Sequence, residues 1–534
     1  MVVEWKRRCD SYHLGHFLME YMRRRADEIC QIDAATGIEE TCASVLSRSI
    51  RLAQCFRKLG LVPGDTIVIG GKNHLDVHIP FYAGMMNGLP VAGLDPALKC
   101  NELKHFFTLI KPKIAFCEYP MFDEYKNAIR ELNLSTKIVT FGGEVDSLAK
   151  FVEAQQGSQR EDEFQVATFN TDEVYCWLVS TSGSTGQPKI VALTHPHLFQ
   201  MTEFYSYKEP KNGERKTALN LSTLLWISGC FNALLMPINH IKVQSSAPVT
   251  TEHIIDIINK YKPGGTLCTP TALAPILHHE KRCDLTCFDV IKTGGSKVHK
   301  ELLACLKTRI RPDAVIQQGY GLSETGGLVM EQRPEDPIAS VGTLDPKYEA
   351  KLISPETGKE ILEPNVTGEL FVRGLTMACY YNDPEETKNV FTEDGYLKTG
   401  DLFYKDEHGY YYFVDRLKML LKYKNYQVVP PEVEEVILKH PAVADVCVTG
   451  VPHPDDGEHV VACVVRRPGH HVTADDIKDL VATQLSASKH LHGGVVFLDA
   501  LPTTVSGKVA RIQVKKLTSP HCAKRNKIIR AKKL

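Results

Sequence analysis

The sequence predicts an α/β protein with a large N-terminal domain of layered sheets and helices, a β-rich subdomain, and a small α+β domain at the C-terminal end. At 534 residues the chain is too long for one ordinary core, so we expect more than one domain. Its hydrophobic content of 43% is ample for burial. From residue 50 onward, strand-like apolar runs alternate with helix-like runs. Around residues 400–425 the chain changes to short aromatic and charged segments, which indicate a β-rich edge leading to a domain boundary.

The alternation begins with the strand-like TIVIG (66–70), the helix-like HIPFYAGMMNG and the strand-like KIAFCEY (113–119), and reaches KIVTFGG after a charged amphipathic stretch. A later window at 217–238 is uncharged and long enough to cross a bilayer, but it contains Asn, Ser, Thr and Pro residues. It therefore predicts a buried strand, a loop at Trp226 to Gly229 and a core helix, and we expect no transmembrane segment.

Beyond the aromatic segment, the sequence predicts a helix opened by Pro430-Pro431-Glu432, two strands (ADVCVTGV and HVVACVVRR), a helix (ADDIKDLVATQL) and a strand (GGVVFLDAL). These elements form a unit of ordinary domain size. We therefore expect an N-terminal domain over 1–414 and a C-terminal domain over 415–534. The basic tail at 515–534 is interpreted as a solvated end of the chain.

The composition excludes several function classes. Charged residues make up 24% of the chain and the net charge is -1, so neither a nucleic-acid surface nor an acidic partner is indicated. The first ten residues carry charges where a signal peptide needs its apolar core, so the sixteen cysteines are interpreted as reduced thiols. His279, Cys283 and Cys287 would share one helical face and could ligate a metal, but a polar surface helix running into a loop explains them better.

A glycine-rich and hydroxyl-rich segment, TSGSTGQPK at 181–189, directly follows an apolar run. Glycines let backbone N–H groups converge on an anion, hydroxyls add donors, and Lys189 adds a positive charge. The same residue types are also common in turns. The segment is not a Walker A loop, because Pro188 and Ile190 flank Lys189 where that motif needs Gly and then Ser or Thr. Taken alone, it leaves a phosphate cradle and a flexible turn both open.

Four further segments follow in order: QGYGLSETGG (318–327), YLKTGDLFY (396–404), VDRLKMLLKYKNYQVVPPEVE (414–434) and LPTTVSGKVAR (501–511). Together with TSGSTGQPK they resemble the acyl-adenylate-forming (AMP-binding) superfamily, in its 4-coumarate:CoA ligase and firefly luciferase branch. The resemblance implies that a carboxylate attacks the α-phosphate of ATP, that pyrophosphate leaves, and that the thiol of coenzyme A then attacks the acyl-AMP. It also implies that the small C-terminal domain is mobile.

The resemblance assigns a set of residues to ATP and Mg²⁺. The loop residues that would bind the triphosphate are Thr181, Ser182, Gly183, Ser184, Thr185, Gly186 and Lys189. The residues that would line the adenine slot are Gly294, Gly295, Gln318, Gly319 and Tyr320. Ser323 would hydrogen-bond the α-phosphate and Glu324 would ligate Mg²⁺. Asp401, beside Arg416, would accept the ribose hydroxyls, and Lys508 would be the cation that meets the charge developing at phosphorus.

The thioester step would use a second face of the C-terminal domain. By the same resemblance, this domain turns about Asp415, and Lys422 with the segment Lys424, Asn425 and Tyr426 shapes the face for coenzyme A. Carrier-protein loading is disfavoured, since only 26 residues follow Lys508 and none of them resembles a carrier.

The acid pocket implied by the resemblance is apolar and contains no fixed cation. Its residues would be Met201, Trp226, Ile227, Ser228, Gly326, Gly327 and Leu328. An aromatic or medium-to-long-chain fatty acid would fit such a pocket, whereas a dicarboxylate or an amino acid would not. Beetle luciferases have a His-His-Gly-Phe-Gly stretch where this chain has Leu225 to Gly229, and their pocket arginine falls on Met201. Light emission is therefore not expected.

Three departures from the family pattern keep a non-catalytic nucleotide- or acyl-binding homologue open. Ile190 replaces the Gly that follows the loop lysine, and a residue with Cβ needs a negative φ there. Asn425 replaces a Gly, which is a mild change because Asn tolerates a left-handed conformation. Ser296 and Lys297 replace small and proline residues after the double glycine.

The last three residues of the sequence, Lys532-Lys533-Leu534, are similar to the Ser-Lys-Leu signal that a peroxisomal import receptor reads. The sequence therefore predicts a peroxisomal or a cytoplasmic location and leaves both open.

Overall fold

A computed structural model describes residues 12–144, 146–155, 160–181, 188–206, 215–295, 298, 300–423, 426–453, 456–485, 487–503 and 509–518. The chain divides into two compact units. The first comprises Met1–Glu349 and Val372–Leu397, and the second comprises Ala350–Phe371 and Lys398–Leu534. The predicted α/β class, with a large N-terminal part and a small α+β C-terminal part, is confirmed.

Helices numbered in chain order are α1 (Leu14–Arg24), α2 (Cys42–Lys58), α3 (Ile79–Asn87), α4 (Cys100–Ile110), α5 (Phe122–Glu131), α6 (Leu148–Gln155), α7 (His195–Ser206), α8 (Ile227–Asn239), α9 (Thr251–Tyr261), α10 (Pro270–His278), α11 (Lys300–Lys307), α12 (Pro384–Val390), α13 (Pro430–Leu438) and α14 (Ala474–Gln484). Residues 511–518 are also helical. None of these helices is long and apolar enough to cross a membrane.

The strands in the described residues are β1 (Ile29–Asp33), β2 (Glu39–Thr41), β3 (Ile67–Gly70), β4 (Val91–Gly93), β5 (Ile114–Glu118), β6 (Lys137–Phe141), β7 (Tyr175–Thr181), β8 (Lys189–Thr194), β9 (Lys216–Leu219), β10 (His240–Gln244), β11 (Gly265–Cys268), β12 (Val290–Gly294), β13 (Val315–Leu322), β14 (Gly327–Glu331), β15 (Thr343–Leu344), β16 (Tyr348–Ile353), β17 (Gly368–Gly374), β18 (Cys379–Tyr380), β19 (Leu397–Lys405), β20 (Tyr411–Arg416), β21 (Leu421–Tyr423), β22 (Tyr426–Val428), β23 (Val443–His453), β24 (Gly457–Arg466) and β25 (Gly494–Leu498).

Two large sheets organise the first unit. One has nine strands in the order β15-β14-β13-β12-β11-β9-β10-β1-β2, and the other has seven in the order β18-β8-β7-β4-β3-β5-β6. Strands β3, β4, β5, β6 and β7 pair in parallel, whereas β7 and β8 form an antiparallel hairpin. The predicted alternation from TIVIG to KIVTFGG is confirmed, since its segments form β3, α3, β5 and β6. Parallel strands of this kind are buried on both faces, which explains their nearly continuous apolar sequences.

The window at 217–238 forms a strand and a core helix as predicted, but the predicted loop is too long. The helix begins at Ile227, so the structure corrects the prediction of a loop at Trp226 to Gly229. The N–H of Trp226 donates to the carbonyl of Thr223 at 3.1 Å, which turns the chain one residue before the helix. A Cβ on Gly229 would lie 1.8 Å from the carbonyl oxygen of Thr223, so glycine allows the first helical turn to pack against that turn.

The segment with His279, Cys283 and Cys287 does not form the predicted surface helix. Helix α10 ends at His278, and His279 has an extended backbone. Cys283 is buried among the apolar side chains of the nine-stranded sheet, and Cys287 ends a short 3₁₀ turn. The three residues therefore share no helical face and form no metal-ligating group among the described residues. Every cysteine that the structure describes is a free thiol, as predicted.

In the second unit, the predicted helices and strands after residue 430 form α13, β23, β24, α14 and β25. Strands β22, β21, β24 and β23 make a sheet in that order, and β25 pairs with β24. A four-stranded sheet has the order β16-β17-β19-β20. Within the second unit, the hydroxyl of Thr399 donates to the carbonyl of Leu370 at 2.7 Å. Such bonds explain why 350–371 group with the residues after 398, so that the compact units divide the chain earlier than 414/415.

Candidate active site

The hairpin of β7 and β8 presents the segment that was predicted to bind the triphosphate. Thr181 ends β7 and pairs with Lys189, the first residue of β8. The predicted loop residues between them lie outside the described residues: Ser182, Gly183, Ser184, Thr185 and Gly186. The hairpin nevertheless fixes both ends of the segment, because the antiparallel register brings Thr181 and Lys189 side by side.

Ile190 fits the hairpin without backbone strain. It pairs with Ser180, and its side chain is buried among the apolar residues of the seven-stranded sheet. Ile190 is not one of the described residues with a positive φ. Its carbonyl accepts a hydrogen bond from the N–H of Tyr381 at 2.7 Å. A β-branched residue suits such a position, so the chain leaves the loop as a regular buried strand.

Lys189 and Glu324 both contact one tyrosine, Tyr380: the lysine lies over its ring and the glutamate accepts from its hydroxyl. Nζ of Lys189 lies 4.8 Å from the centre of the Tyr380 ring and forms an ion pair with Oε2 of Glu386. The hydroxyl of Tyr380 donates to Oε1 of Glu324 at 2.8 Å. We call Lys189, Glu324, Tyr380 and Glu386 the Tyr380 cluster. It joins the two family segments that were predicted to handle phosphate and Mg²⁺.

The electrostatics of the Tyr380 cluster keep its tyrosine protonated. Burial, and then the Glu324 carboxylate, raise the pKa of Tyr380 well above its usual range. The phenol therefore remains a hydrogen-bond donor and orients the Glu324 carboxyl group. A carboxylate oxygen held in this way is the hard ligand type that Mg²⁺ prefers, so Glu324 fits the predicted metal role together with phosphate oxygens and water.

The backbone around Glu324 is fixed by two neighbouring segments. The N–H of Met377 donates to the carbonyl of Glu324 at 2.7 Å. His197 places Nδ1 at 3.1 Å from the carbonyl oxygen of Thr376 and Nε2 at 3.0 Å from that of Thr325. Burial lowers the pKa of His197 to about 4, so the neutral ring donates to one of these carbonyls at a time. Together these contacts hold the Glu324 segment against the strand that carries Tyr380.

Ser323 opens a short 3₁₀ turn, Ser323–Thr325, and is half-buried. Gly326 follows with a φ of 57°, in the left-handed region. A Cβ on Gly326 would lie 2.3 Å from Nε2 of His197. Both the conformation and the space therefore require glycine directly after this turn.

The residues predicted to line the adenine slot lie at the end of β12 and in the middle of its neighbour β13. Gly294 on β12 pairs with Gly319 on β13, and a Cβ on Gly294 would lie 2.7 Å from the carbonyl oxygen of Gly319. Gly295 has a φ of 79°. Tyr320 follows on β13 and is buried. The amide of Gln318 donates to the carbonyl of Ile338 at 2.6 Å, so this side chain also anchors the chain after β14.

The predicted acid pocket contains one close apolar contact. A Cβ on Gly327 would lie 2.0 Å from Cε of Met201 and 3.2 Å from Cζ of Phe231, so Met201 packs directly over Gly327. Leu328 packs over Gly319 in the same way, since a Cβ on Gly319 would lie 2.8 Å from Cδ2 of Leu328. The other predicted pocket residues are half-buried at the start of α8: Trp226, Ile227 and Ser228.

In the second unit, the predicted ribose and hinge residues are neighbours on paired strands. Asp401 on β19 lies opposite Arg416 on β20, and Nε of Arg416 is 3.2 Å from Oδ1 of Asp401. Asp415 is the penultimate residue of β20, and its Oδ1 accepts the N–H of Arg416 at 2.8 Å. The prediction that Arg416 lies beside Asp401 agrees with this geometry.

Several predicted residues cannot be placed among these contacts. Lys422 lies on β21 and Tyr426 on β22, where only the backbone is described. The remaining ones lie outside the described residues: Lys424, Asn425, Lys508, Ser296, Lys297 and residues 519–534, which end in Lys532-Lys533-Leu534. The first four residues of the predicted basic tail are described: they are helical, Thr518 is buried, and Nζ of Lys515 lies 2.6 Å from Oε1 of Glu458, so the predicted solvated end does not begin at 515.

Tyr380 and Glu386 belong to the site although the sequence did not predict them there. Tyr380 reaches the site because β18 pairs with β8, with Tyr380 opposite Val191. Glu386 lies in the first turn of α12, where the Asp383 side chain caps the helix by accepting the N–H of Glu386 at 3.1 Å. Asp383-Pro384 is a recognisable helix start that could have located Glu386, whereas the pairing of β18 has no local signal.

Comparisons with known proteins agree with this geometry. The model of the AMP-binding enzyme family matches residues 18–381, and the model of the AMP-binding enzyme C-terminal domain matches residues 432–508. The chain belongs to the AMP-binding enzymes. It is 32% identical over 512 residues to a luciferin 4-monooxygenase of Photuris pensylvanica, covering 90% of each chain. It is 31% identical over 508 residues to 4-coumarate--CoA ligase-like 6 of Oryza sativa subsp. japonica, covering 90% of this chain and 82% of the relative.

A solved structure with the same fold is the anthranilate CoA ligase AuaEII in complex with anthranoyl-AMP. Its TM-score is 0.85 at 21% identity, covering 96% of this chain and 98% of that chain. This likeness confirms the fold class. The family membership confirms the predicted resemblance to AMP-binding enzymes of the 4-coumarate:CoA ligase and luciferase branch.

Proposed function

We propose that this protein is an ATP-dependent acid:CoA ligase that converts a fatty or aryl carboxylic acid to acyl-AMP and then to acyl-CoA. The observation that carries the proposal is the Tyr380 cluster, in which Lys189 at the exit of the phosphate segment and Glu324 contact the same tyrosine. A cation and a hard carboxylate ligand are what a bound nucleoside triphosphate requires. Family membership and the 4-coumarate--CoA ligase-like relative support the same reaction.

In the first half-reaction, the acid carboxylate attacks the α-phosphate of ATP and pyrophosphate leaves. Lys189 is paired with one carboxylate, Glu386, so a triphosphate can compete for its charge. Glu324 would hold Mg²⁺, which would neutralise phosphate charge when bound. In the second half-reaction, the thiol of coenzyme A attacks the acyl carbon and AMP leaves with the bonding electron pair.

The proposed acid is apolar. Met201 is buried and packs over Gly327, where an ionic substrate group would need a charged partner. Phe231 adds an aromatic edge beside the same glycine. These contacts support an aromatic or medium-to-long-chain acid as substrate.

Acid-dependent exchange of pyrophosphate into ATP, measured over a panel of fatty and aryl acids, tests the proposal. We expect exchange with at least one apolar acid, and acyl-CoA when coenzyme A is added. ATP binding without exchange for any acid would identify a non-catalytic homologue. Light emission with luciferin and oxygen, together with exchange but no acyl-CoA, would instead identify a luciferase.

The two half-reactions separate the roles proposed for the two lysines of the C-terminal domain. Lys508→Ala should reduce adenylation by a factor on the order of 10²–10³, as for a removed electrostatic donor, yet still transfer a supplied acyl-AMP to coenzyme A. Lys422→Ala should retain pyrophosphate release and slow thioester formation. Equal losses in both half-reactions for both variants would contradict an alternating C-terminal domain that turns about Asp415.

A further inference from the structure

One β-hairpin of the second unit brings three metal-ligating side chains together. Strands β23 and β24 pair antiparallel, with Val451 opposite His459 and His453 opposite Gly457. Paired residues share a face, and so do residues two apart on one strand. His453 and His459 therefore lie on the same face at the end of the hairpin, and Asp456 lies between the two strands in the chain.

The ligand atoms of the three side chains converge. Nε2 of His459 lies 2.8 Å from Oδ2 of Asp456, and Nδ1 of His453 lies 3.7 Å from the same oxygen. The two imidazole rings are nearly parallel, with centroids 3.9 Å apart and planes inclined by 11°. One ligand atom from each residue lies within 4.8 Å of the others. The convergence involves two nitrogen donors and one oxygen donor.

A hydrogen bond between His459 and Asp456 explains only one of these contacts. The 3.7 Å separation between His453 and Asp456 exceeds hydrogen-bond length. A tetrahedral ion about 2.0–2.1 Å from each ligand would hold its ligand atoms about 3.4 Å apart. This separation lies between the two observed distances, and the three ligand atoms already lie within 4.8 Å of one another. Binding one ion would require the two stacked imidazole rings to turn until a nitrogen of each faces the ion.

We propose that His453, Asp456 and His459 form a transition-metal site, with Zn²⁺ as its ion and water as the fourth ligand. Two imidazoles and one carboxylate suit Zn²⁺, whereas Mg²⁺ and Ca²⁺ prefer oxygen ligands only. The three side chains are 22–23% exposed, so the ion can enter from solvent into a partly desolvated site. The proposal concerns residues of the second unit alone and does not depend on the proposed ligase reaction.

The metal site is linked to the neighbouring strand. Gly457 pairs with Tyr423, the last residue of β21. The Tyr423 ring is 5.8 Å from the His459 ring and stacks on His492 at 4.4 Å. An ion that binds the folded hairpin and not the unfolded chain stabilises the fold, so Zn²⁺ should raise the unfolding temperature of the second unit.

The test is zinc affinity of the full-length protein, stripped with a chelator, in competition with a chromogenic chelator. The decisive variant is His453→Gln/His459→Gln, and the control is His471→Gln, which removes an exposed histidine of the same unit. We expect wild type and the control to bind one equivalent of Zn²⁺ at least about 10-fold more tightly than the double variant, because loss of outer partners alone costs 10–100-fold. All three proteins retain the same sixteen cysteines, so any zinc bound by thiols would contribute equally to the three measurements.

Equal zinc affinity and stoichiometry in wild type and the double variant would overturn the proposal. So would displacement of the ion by millimolar Mg²⁺, because that would indicate an oxygen site. If the circular dichroism of the double variant differs from wild type, Asp456→Asn decides: weakened zinc binding supports the site and unchanged binding overturns it.

Discussion

Two regions of the molecule hold glutamate against a cation, and they differ in how completely the charges are paired. In the second unit, the guanidinium of Arg511 contacts both carboxylate oxygens of Glu434, at 2.7 and 2.9 Å. The backbone of Val448 completes the pair, since its N–H donates to Glu434 at 2.7 Å and its carbonyl accepts from Arg511 at 2.9 Å. In the Tyr380 cluster of the first unit, the contacts among described residues are fewer: Lys189 pairs with the Glu386 carboxylate and lies over the Tyr380 ring, and Glu324 accepts from the Tyr380 phenol.

The difference indicates which charged groups maintain the fold and which can serve a ligand. A bidentate pair that also satisfies backbone groups has few donors or acceptors left to exchange. Single contacts can be replaced by phosphate oxygens or a metal without leaving a buried charge unpaired. We therefore expect substitutions near Arg511 to reduce stability and substitutions in the Tyr380 cluster to reduce activity.

The largest effect is expected from Arg511→Met. It leaves the carboxylate of Glu434 buried without its partner, which costs about 3–5 kcal/mol in comparable cases. Urea unfolding followed by circular dichroism measures the loss. The control is Arg511→Met/Glu434→Met, which removes both charges and should recover most of the stability. A double variant as unstable as the single one would show that the pair contributes more than charge compensation.

Glu324→Gln tests the other side of the comparison. We expect a loss of adenylation on the order of 10²–10³-fold, because the carboxylate charge is removed from the phosphate site. The free energy of unfolding should change little, since glutamine can still accept the hydrogen bond from Tyr380. Pyrophosphate exchange and urea unfolding measure the two effects.

The control for Glu324→Gln is Glu386→Gln, which changes the neighbouring carboxylate that pairs with Lys189. Because Glu386 would compete with a triphosphate for this lysine, Glu386→Gln should change exchange by less than about 10-fold in either direction. Equal losses of exchange for the two variants would mean that only the total negative charge of the Tyr380 cluster matters and that Glu324 has no specific role.

The sequence could predict the parts of the site that lie in contiguous segments. Lys189 and Glu324 stand in segments with a family pattern. Tyr380 could not be found in this way, because its role depends on pairing with Val191, far away in the chain. The helix start at Asp383-Pro384 could have located Glu386 in a first helical turn, but it does not indicate Lys189 as the partner of Glu386. The hairpin histidines were missed for a similar reason, since only the register of β23 and β24 aligns His453 with His459.

The exact start of a helix could also not be predicted from the local sequence. Ile227 starts a helix although Trp226 to Gly229 has the composition of a loop. The decisive factor is tertiary, because Gly229 lets this first turn lie against the Thr223 carbonyl. Ile190 is also accommodated by tertiary structure, because it is buried in a paired strand.

A third cation, Lys242 on β10, sharpens the comparison because it is buried against an imidazole. Its Nζ lies 2.9 Å from Nδ1 of His78, and burial lowers the pKa of Lys242 from 10.5 to about 8. Between these values the unfolded chain binds more protons than the folded chain, so the stability of wild type rises with pH across this window. The rise should be roughly 3 kcal/mol in total.

Lys242→Met should remove this rise, because the variant has no lysine to deprotonate there. Urea unfolding at pH 7.5, 9 and 10.5 measures the pH dependence, and Lys113→Met, which changes a lysine with a 54% exposed side chain, is the control. Parallel pH profiles for wild type and Lys242→Met would contradict the inference that burial lowers the pKa of Lys242 in the folded chain.

The smallest effect concerns two glycines, Gly321 and Gly327. Gly321 faces backbone atoms that cannot move, whereas Gly327 faces a flexible side chain that can. A Cβ on Gly321 would lie 2.1 Å from the carbonyl oxygen of Gly327, which is paired backbone, so Gly321→Ala should reduce folded protein without changing the order of preferred acids.

A Cβ on Gly327 would instead lie 2.0 Å from Cε of Met201, the end of a flexible side chain. Gly327→Ala should therefore fold and push Met201 toward the predicted acid pocket. The specificity ratio of a short to a long acid should rise by about 10-fold, the effect of one methylene-sized contact. The measurement is kcat/KM for pyrophosphate exchange across an acid series; an unchanged ranking in Gly327→Ala would mean that Met201 is a core residue and that the acid binds elsewhere.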